Sequence, residues 1–367
     1  MSVESAIPVA LQASVIVPAR NEEACIAACL RSLTEQAGVN FEIIVVDDAS
    51  TDRTPEIAKS FPQVRVVQPP ALAPGWSGKV NAVEAGAAQA RGAWLLFTDA
   101  DTVHLPGSLA RAITEAEKRQ AALLSYSPEQ EVRSFWEKAV MPVVFAELAS
   151  SFRPVEVSNP RSAVAAANGQ YLLMSREAYA AVGGFASVAT TLLEDVAMAR
   201  AVKASGRKTF FRYGPDAVRT RMYRNFVELR DGWTKNLVLL FPSTNRLAAL
   251  RLMEFVLIVG CATLAVVGAA KERAHTGIVA AGVGAVIYVL FVMRIRKAHF
   301  RWDANLFSLL GLPVFAYLLL RSRLFHGRGK VSWKGRLYDG EASQVDNRTF
   351  QKAAKTEITP AAPLPPL

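Results

Sequence analysis

The chain has 367 residues, which is enough for one large domain with an appendage or for two domains. Hydrophobic residues make up 51% of it, the mean hydropathy is +0.19, and the apolar excess gathers after residue 250. That distribution indicates membrane segments rather than a larger core. The net charge is +10, and much of the positive charge flanks the apolar segments. This pattern favours contact with anionic lipid headgroups, and we expect no nucleic-acid partner.

The cysteines and the N-terminal residues bear on where the protein works. Cys25, Cys29 and Cys261 have neither the spacing of zinc ligands nor the pattern of a disulfide framework. The first residues lack the basic region and the following apolar region of a signal peptide. We therefore expect a chain that is intracellular or faces the cytoplasm.

The first 125 residues alternate short apolar strands with helices. Strands are predicted at 13–17, 41–46, 64–67 and 94–98, and helices at 22–36, 54–60 and 78–90. Nearly continuous apolar strands that alternate with helices indicate a parallel sheet covered on both faces. Polar segments follow three strands, at 18–22, 47–48 and 99–101, and ligands bind at such carboxyl ends. We expect these three segments to lie together.

The remaining chain contains one aromatic helix and three apolar stretches. The helix, at 134–153, either lies in a membrane interface or packs on the domain core. The stretches at 252–270 and 277–293 are near spanning length, whereas 306–320 is shorter and contains Pro313. Basic clusters follow the second and third stretches, and the positive-inside rule places both clusters in the cytoplasm. Both can lie there only if the third stretch does not cross the membrane, that is, if it is re-entrant or interfacial. We favour that arrangement over a third span.

Asp99-Ala100-Asp101 ends the fourth predicted strand and is the strongest chemical signal. Two carboxylates so close to a buried strand repel each other and are costly to desolvate, unless a cation lies between them. Hard oxygen ligands suit Mg²⁺ or Mn²⁺, which in turn neutralise phosphate oxygens. The triplet alone is also compatible with an ordinary acidic turn. Its position beside two other polar strand ends favours a metal-bound diphosphate.

Other segments add candidate ligands. Asp48 follows the second strand, where its carboxylate can accept from a uracil imide or from ribose hydroxyls. Lys79 follows a Gly-containing loop at a helix start, an arrangement that resembles a phosphate cradle without being a Walker A loop. Glu194 and Asp195 are compatible with a simple helix start, because the helix dipole favours acids there. Arg230 and Trp233 offer a cation and an aromatic face close together.

Together these segments resemble the membrane-associated family 2 glycosyltransferases, which have the GT-A fold. The matching pieces, in the family's order over residues 13–240, are Val17-Pro18-Ala19-Arg20-Asn21-Glu22-Glu23, Val45-Val46-Asp47-Asp48-Ala49-Ser50-Thr51-Asp52, Gly78-Lys79 with Asn81-Ala82, Thr98-Asp99-Ala100-Asp101, Val182-Gly183-Gly184-Phe185 and Glu194-Asp195. The Gly-Trp-Ser-Gly-Lys loop and the later apolar stretches are similar to the branch that includes hopanoid-associated and carotenoid glycosyltransferases. The fold class implied is α/β, a Rossmann-like, mostly parallel GT-A sheet followed by transmembrane helices.

The resemblance implies a role for each candidate. Asp48 would contact the nucleoside in a pocket lined by Pro18, Arg20 and Glu22, and Lys79 would position the nucleotide or its phosphates. Asp99 and Asp101 would hold Mg²⁺ or Mn²⁺ with the diphosphate, Asp101 more directly. Asp195 would be the general base that deprotonates the acceptor hydroxyl, and a single in-line attack would invert the anomeric carbon. The candidates for acceptor or diphosphate contacts are Glu194, Arg230 and Trp233.

One motif departs from the family pattern. Processive synthases carry Gln-x-x-Arg-Trp, but here Leu229 stands in place of Gln and Gly232 in place of Arg, and only Trp233 remains. The departure favours transfer of a single sugar over polymer synthesis. Arg230 is the candidate for the missing cation.

The predicted organisation has three parts. Residues 1–245 form the GT-A catalytic domain with its interfacial helix region at 134–153, residues 246–325 form the membrane region, and residues 326–367 form a basic and then Pro-rich disordered tail. The expected function is inverting, metal-dependent transfer of one sugar, from a UDP-sugar, to a hopanoid, carotenoid or other polyisoprenoid-type lipid. The expected location is the inner membrane, as a multi-pass protein whose catalytic domain faces the cytoplasm. The alternatives are a polyprenyl-phosphate or diacylglycerol glycosyltransferase, and a nucleotide-binding protein without activity.

Overall fold

The computed structural model describes residues 11–271, 273–328, 331–333 and 336–338. The elements before residue 245 are, in chain order, β1 (Ala13–Ala19), α1 (Ile26–Thr34), β2 (Phe41–Asp47), α2 (Thr54–Lys59), β3 (Val64–Val67), α3 (Gly78–Gln89), β4 (Trp94–Phe97), β5 (Thr102–His104), α4 (Ser108–Arg119), β6 (Leu123–Ser127), β7 (Glu129–Gln130), α5 (Phe135–Ser151), α6 (Pro154–Val157), β8 (Leu172–Ser175), α7 (Arg176–Ala181), α8 (Glu194–Ala204), β9 (Thr209–Tyr213), β10 (Val218–Thr220) and α9 (Phe226–Leu240). They are followed by α10 (Thr244–Ala270), α11 (Ala274–Ile295), α12 (Trp302–Gly327), β11 (Val331–Trp333) and β12 (Arg336–Tyr338).

A seven-stranded sheet in the order β3-β2-β1-β4-β8-β6-β9 forms the centre of the fold. The strands β3, β2, β1 and β4 run parallel, and β8 is antiparallel to both of its neighbours. Val17 pairs with Val45 and Ile16 with Phe97, so β1, β2 and β4 end at the same edge of the sheet. The predicted mostly parallel sheet is therefore confirmed, and it brings the three polar strand ends together.

Alternation along β1 explains how both faces of the sheet are covered. Val15 faces a cluster that includes Leu30 of α1 and Leu109 of α4, whereas Ile16 faces a cluster that includes Val80 of α3. The helix predicted from residue 22 begins only at Ile26, because residues 22–25 form a turn in which the Glu22 carbonyl accepts from the amides of Cys25 and Ile26. A small second sheet, β5-β10-β7, lies beyond β4.

The helix α5 packs against α9 and the later helices in a third hydrophobic cluster. It begins with a capping box in which the Ser134 hydroxyl accepts from the Glu137 amide and Glu137 accepts from the Ser134 amide. Of the two arrangements that the sequence left open, packing accounts for most of α5. Phe135 and Trp136 at its start nevertheless remain 45% and 39% exposed.

In the part of the chain that the structure describes, three helices are long and apolar enough to cross a membrane. They span Thr244–Ala270, Ala274–Ala298 and Trp302–Gly327, and 11%, 11% and 44% of their most apolar windows are buried. The third is one continuous helix through Pro313 and does not turn back over 302–327, so a re-entrant hairpin is not what these residues form. Two short strands, β11 and β12, pair antiparallel within the predicted disordered tail. Residues 339–367 of that tail lie outside the described residues.

Four charged side chains connect α5 to α10 and α11. Arg251 contacts Glu147 (2.9 Å) and Glu254 (3.0 Å), and Arg294 contacts the same two carboxylates at 3.4 and 2.7 Å. All four side chains are at most 17% exposed. Because each cation contacts both anions, the network is neutral as a whole and fixes the α10–α11 hairpin against α5.

Candidate active site

The loops after β1 and β2 hold each other in place. The Asn21 amide donates to the Ser50 hydroxyl (3.1 Å), and the Thr51 amide donates back to the Asn21 side chain (2.8 Å). Arg20 Nη1 donates to the Asp48 carbonyl (2.6 Å). Asn21 adopts the left-handed φ of 52°, which non-glycine residues adopt only with such local support. This cross-linking fixes Arg20 and Asp48 at the strand edge.

Buried polar side chains support the turn that carries Asp99 and Asp101. The Thr102 hydroxyl donates to the Asp99 carbonyl (2.6 Å), and the Thr220 hydroxyl donates to the Asp101 carbonyl (3.2 Å). His104 Nε2 lies 3.1 Å from the Thr98 hydroxyl. Burial lowers the pKa of His104 to about 3, so its imidazole is neutral. Uncharged side chains thus support the turn through hydrogen bonds, and the two aspartates supply its charge.

Lys79 lies in the first turn of α3, where Ser77 caps the helix by accepting from the Val80 amide. Its Nζ contacts the carboxylates of Asp99 (2.8 Å) and Glu194 (3.0 Å). Burial opposes the charge on Lys79, but Asp99, Glu194 and Asp195 outweigh burial and raise its pKa well above the usual value. Lys79 is therefore a permanent cation between the strand end and the start of α8.

Asp195 has the properties expected of a base. Its carboxylate accepts from the amides of Gly169 (2.9 Å) and Val196 (2.8 Å), which fix its orientation. Burial and the neighbouring Glu194 raise the pKa of Asp195 to about 6, against the opposing effect of Lys79. Burial also disfavours the charged form of Glu194, but Lys79 and Lys235 outweigh it and lower the pKa of Glu194. The pair thus divides into a fixed anion, Glu194, and a group that exchanges a proton near neutral pH, Asp195.

Two cavities meet at this cluster. The polar cavity, about 690 Å³, runs over the strand ends; its lining includes the candidates Pro18, Arg20, Glu22, Asp48, Lys79, Asp99 and Asp101. The apolar cavity, about 540 Å³, is lined mainly by Phe145, Leu148, Phe152, Leu192, Leu193, Phe211, Leu240 and Phe300, together with Glu194, Asp195 and Trp233. Both cavities are lined by Lys79, Asp99, Gln170, Met222, Lys235 and Asn236.

The apolar cavity lies between the sheet domain and the membrane helices. Tyr213 of β9 and His299, in the turn after α11, stack at 4.5 Å with an angle of 11° between their rings, and both line the cavity. Trp233 Nε1 and Gln130 Oε1 are buried in residues that line this cavity and have no hydrogen-bond partner among the described residues. Buried polar atoms of this kind are usually satisfied by a ligand or by water. The cavity is thus suited to an apolar molecule with a polar end.

The structure brings together every predicted site residue except Arg230. The Arg230 side chain pairs with Asp231 (2.8 Å) and lines neither cavity. The cations that do line the polar cavity include Arg221, Arg224 and Lys235, which the sequence reasoning missed. They belong to no short motif, since α9 and the loop before it reach the strand ends only by tertiary packing.

The carboxylates of Asp99 and Asp101 fit a divalent cation as part of its ligand set. Within the described ranges, no group of three or more His, Cys, Asp or Glu side chains is placed to hold a metal by itself. The two aspartates supply hard oxygens in the wall of the polar cavity, and a bound diphosphate and water would supply the others. This donor set is typical of Mg²⁺ or Mn²⁺ sites that form together with a nucleotide.

Comparisons with known proteins agree with this geometry. Residues 14–183 match the family described as Glycosyl transferase family 2. The 4,4'-diaponeurosporenoate glycosyltransferase of Staphylococcus aureus strain MRSA252 is 30% identical over 230 residues, which are 61% of this chain and 60% of that protein. The protein of the same name in strain USA300 is 29% identical over 229 residues, with the same coverage. The chain thus spans about 60% of the length of these curated relatives.

A solved structure supports the fold independently. The mannosyltransferase PcManGT of Pyrobaculum calidifontis, in complex with GDP-Man and Mn²⁺, has a TM-score of 0.53 and 20% identity, and the match covers 86% of each chain. The match to the Glycosyl transferase family 2 model thus covers residues 14–183, and the fold is a GT-A-like, mostly parallel sheet that is followed, within the described residues, by three long apolar helices. The fold class predicted from the motifs is confirmed, and the predicted resemblance to the family is supported over residues 14–183.

Proposed function

We propose that the protein is a membrane-bound glycosyltransferase that moves a single sugar from a nucleotide-sugar donor to a lipid acceptor. The observation that carries this proposal is the meeting of a polar and an apolar cavity at one charged cluster. A nucleoside diphosphate suits the first cavity and a hydrophobic chain suits the second. A donor and an acceptor bound in this way have their reacting ends at Lys79 and Asp195.

The donor is a nucleoside diphosphate sugar, and a UDP-sugar is the one we expect. Asp48 and Arg20 contact the nucleoside, Lys79 contacts the phosphates, and Asp99 and Asp101 hold Mg²⁺ or Mn²⁺. When bound, the cation neutralises charge on the diphosphate. The fold neighbour was solved with GDP-Man and Mn²⁺, which supports a metal and makes a GDP-sugar the second donor to test.

The reaction we propose is a single displacement with inversion. Asp195 takes the proton of the acceptor hydroxyl as its oxygen bonds to the anomeric carbon, and the bond from that carbon to the diphosphate breaks. A carboxylate whose pKa is raised to about 6 is ionised at pH 7 and still basic enough to accept this proton. The amides of Gly169 and Val196 hold the carboxylate in one orientation.

The acceptor is a polyisoprenoid-type lipid, such as a carotenoid or a hopanoid. The curated relatives act, by name, on a carotenoid acid, and the aromatic and aliphatic lining of the apolar cavity suits such a chain. Polyprenyl phosphate and diacylglycerol are the alternative acceptors. Transfer of one sugar, rather than polymer synthesis, fits the loss of the Gln and Arg of the processive motif at Leu229 and Gly232.

We further propose that α10 and α11 span the inner membrane and that α12 lies in its cytoplasmic interface. Both ends of α12 bond to helices of the sheet domain: Lys138 Nζ contacts Asp303 (2.9 Å), and His326 Nε2 donates to the Lys235 carbonyl (2.8 Å). Its exposed apolar side chains are three, four or seven residues apart and so share one face, at Trp302, Leu306, Leu310, Tyr317, Leu320 and Leu324. A helix held along one face and apolar on the other is suited to the membrane surface. Both basic clusters then remain cytoplasmic.

The orientation is tested by labelling a cysteine at Arg328→Cys with a membrane-impermeant maleimide, in a background without the native cysteines. Labelling in inverted vesicles and not in spheroplasts supports an interfacial α12, because position 328 follows that helix. The opposite pattern contradicts the arrangement and makes α12 a third span.

The activity is tested with the full chain in nanodiscs, supplied with labelled UDP-sugars or GDP-mannose, a divalent metal and a lipid extract. We expect a labelled glycolipid from the wild type and from Lys208→Met, an exposed position bonded to Gln120. Asp101→Ala and Asp195→Ala should form none. Retained transfer in both aspartate variants would refute the proposal, and nucleotide binding without any transfer would favour the non-catalytic alternative.

A further inference from the structure

The site lacks a cation at the position where the processive family pattern has an arginine. That position is Gly232, directly before Trp233 in α9. A Cβ at 232 would stand 2.5 Å from Tyr223 Oη and 2.7 Å from Tyr223 Cζ. The Tyr223 ring therefore occupies the space that a side chain at 232 would need, and no arginine fits there while Tyr223 is present.

Lys235 lies three residues further along the same helix. Residues at i and i+3 share a helix face, so the Lys235 side chain leaves α9 on the face that Gly232 would use, one turn later. It lines both the polar and the apolar cavity. Burial lowers the pKa of Lys235, and Lys79 acts in the same direction, whereas Glu194, Asp195 and Asp99 oppose them. Lys235 thus lies within electrostatic range of the cluster where the two cavities meet.

Other cations also line the polar cavity, among them Arg221, Arg224 and Lys79. Arg221 pairs through two hydrogen bonds with Glu137, at 2.9 and 3.0 Å, and Glu137 is 2% exposed. Arg224 donates to the Ala24 carbonyl (2.9 Å). Lys79 already contacts Asp99 and Glu194. Within the described residues, Lys79 and Lys235 are the cations that line both cavities.

We propose that Lys235 is a catalytic residue that stabilises the departing diphosphate and takes the place of the arginine lost at Gly232. This inference rests on the proposed function. In the transfer step the acceptor oxygen bonds to the anomeric carbon and its proton passes to Asp195. The bond from that carbon to the β-phosphate oxygen breaks, and its electron pair stays on that oxygen. Lys235 donates a hydrogen bond to the developing charge and neither gains nor loses a proton overall.

The backbone of Lys235 is held by the membrane-associated helix α12. His326 donates to the Lys235 carbonyl, and Ser322 accepts from the Val238 amide (3.0 Å). Arg321 Nε donates to the Thr234 hydroxyl (3.2 Å). These bonds fix the register of α9 over the strand ends, so the backbone position from which the Lys235 side chain starts is set before a donor binds.

The test separates contacts to the diphosphate from contacts to the nucleoside. Binding of UDP, GDP, UMP and GMP is measured by calorimetry with the full chain in nanodiscs and a fixed Mg²⁺ concentration. For Lys235→Met we expect diphosphate affinity to fall about tenfold with monophosphate affinity unchanged, because charge-assisted bonds to phosphate are of that order. Transfer at saturating donor should fall about a hundredfold, as for other groups that stabilise developing charge. Lys235→Arg should keep most of the diphosphate affinity and most of the transfer activity.

Lys208→Met controls for the loss of a lysine, and its thermal unfolding should match that of Lys235→Met. Diphosphate affinity and turnover at wild-type level in Lys235→Met would overturn the inference. So would a raised KM for the lipid alone, which would make Lys235 an acceptor ligand. If instead the wild type binds no nucleotide and transfers no sugar, the proposed function fails, which is a different result.

Discussion

Replacing Asp195 by Asn is expected to abolish transfer and, at neutral pH, to stabilise the fold. The reason is that the same burial that makes Asp195 a useful base makes its charged form unfavourable in the folded protein. Its pKa rises from 3.8 to about 6 on folding, first through burial and then through Glu194. A neutral amide of the same shape removes this cost but cannot take up a proton.

The size of the expected stabilisation follows from the shift in the pKa of Asp195. A change of about 2 pKa units corresponds to about 3 kcal/mol of lost stability once the carboxyl is ionised in both states. The bonds that the carboxylate accepts from the Gly169 and Val196 amides oppose the rise in its pKa and are already included in this figure. Asp195 also remains partly open to the cavity, and water there reduces the effect. We expect a net gain of about 1–2 kcal/mol, or a few degrees in Tm.

The raised pKa also predicts the pH range in which the Asp195 carboxyl destabilises the wild type. Well below the unfolded pKa of 3.8 the wild-type carboxyl is protonated in both states, and wild type and variant should differ little in stability. Between about pH 4 and 6 the unfolded chain ionises before the folded one, so the wild type loses stability while Asp195→Asn does not. Above pH 6 the difference in free energy of unfolding between Asp195→Asn and the wild type should be constant. Thermal unfolding of both proteins in detergent from pH 4 to 8, without metal or nucleotide, measures this difference in stability.

Two results would refute this reasoning. A Tm difference that does not change with pH would mean that the Asp195 carboxyl is not perturbed in the folded protein. A wild-type kcat/KM whose acidic limb lies below pH 5 would mean that the base has an ordinary pKa. Glu194→Gln serves as the contrasting variant, because the pKa of Glu194 is lowered and its removal should destabilise the protein at pH 7.

Three further predictions concern packing and the acceptor. Gly311→Ala would put a Cβ 2.6 Å from the Ala139 carbonyl carbon and should cost about 3 kcal/mol by thermal unfolding, whereas Gly327→Ala, with open space around it, should cost almost nothing. Glu147→Gln leaves two buried arginines with one carboxylate and should cost about 3 kcal/mol; an unchanged Tm would mean that the network adds no stability. Trp233→Phe keeps the ring packing but removes Nε1–H, so KM for the lipid should rise about fivefold while UDP affinity stays the same. An equal loss of both would contradict a role specific to the acceptor.

Much of the nucleotide half was predictable because its signals are local. Apolar runs that end in Pro18, Asp48 and Asp99 define strands and their carboxyl ends, and parallel pairing then brings those ends to one edge. The helix start at Ile26 was missed because a turn over residues 22–25 does not interrupt the apolar periodicity. Arg230 was predicted at the site from its distance along the sequence to Trp233, but the helix turns its side chain toward Asp231.

The sequence by itself determined the fold class, the strand ends and the acidic residues, since these depend on periodicity and on short motifs. Tertiary structure decided which cations reach the site. Tyr223 fills the space beside Gly232, and Lys235 reaches both cavities from the next turn of α9. It also decided that α12 packs along the sheet domain, because its partners Lys138 and Lys235 lie about 165 and 91 residues away. Contacts over such separations arise from packing of whole elements, which no local pattern encodes.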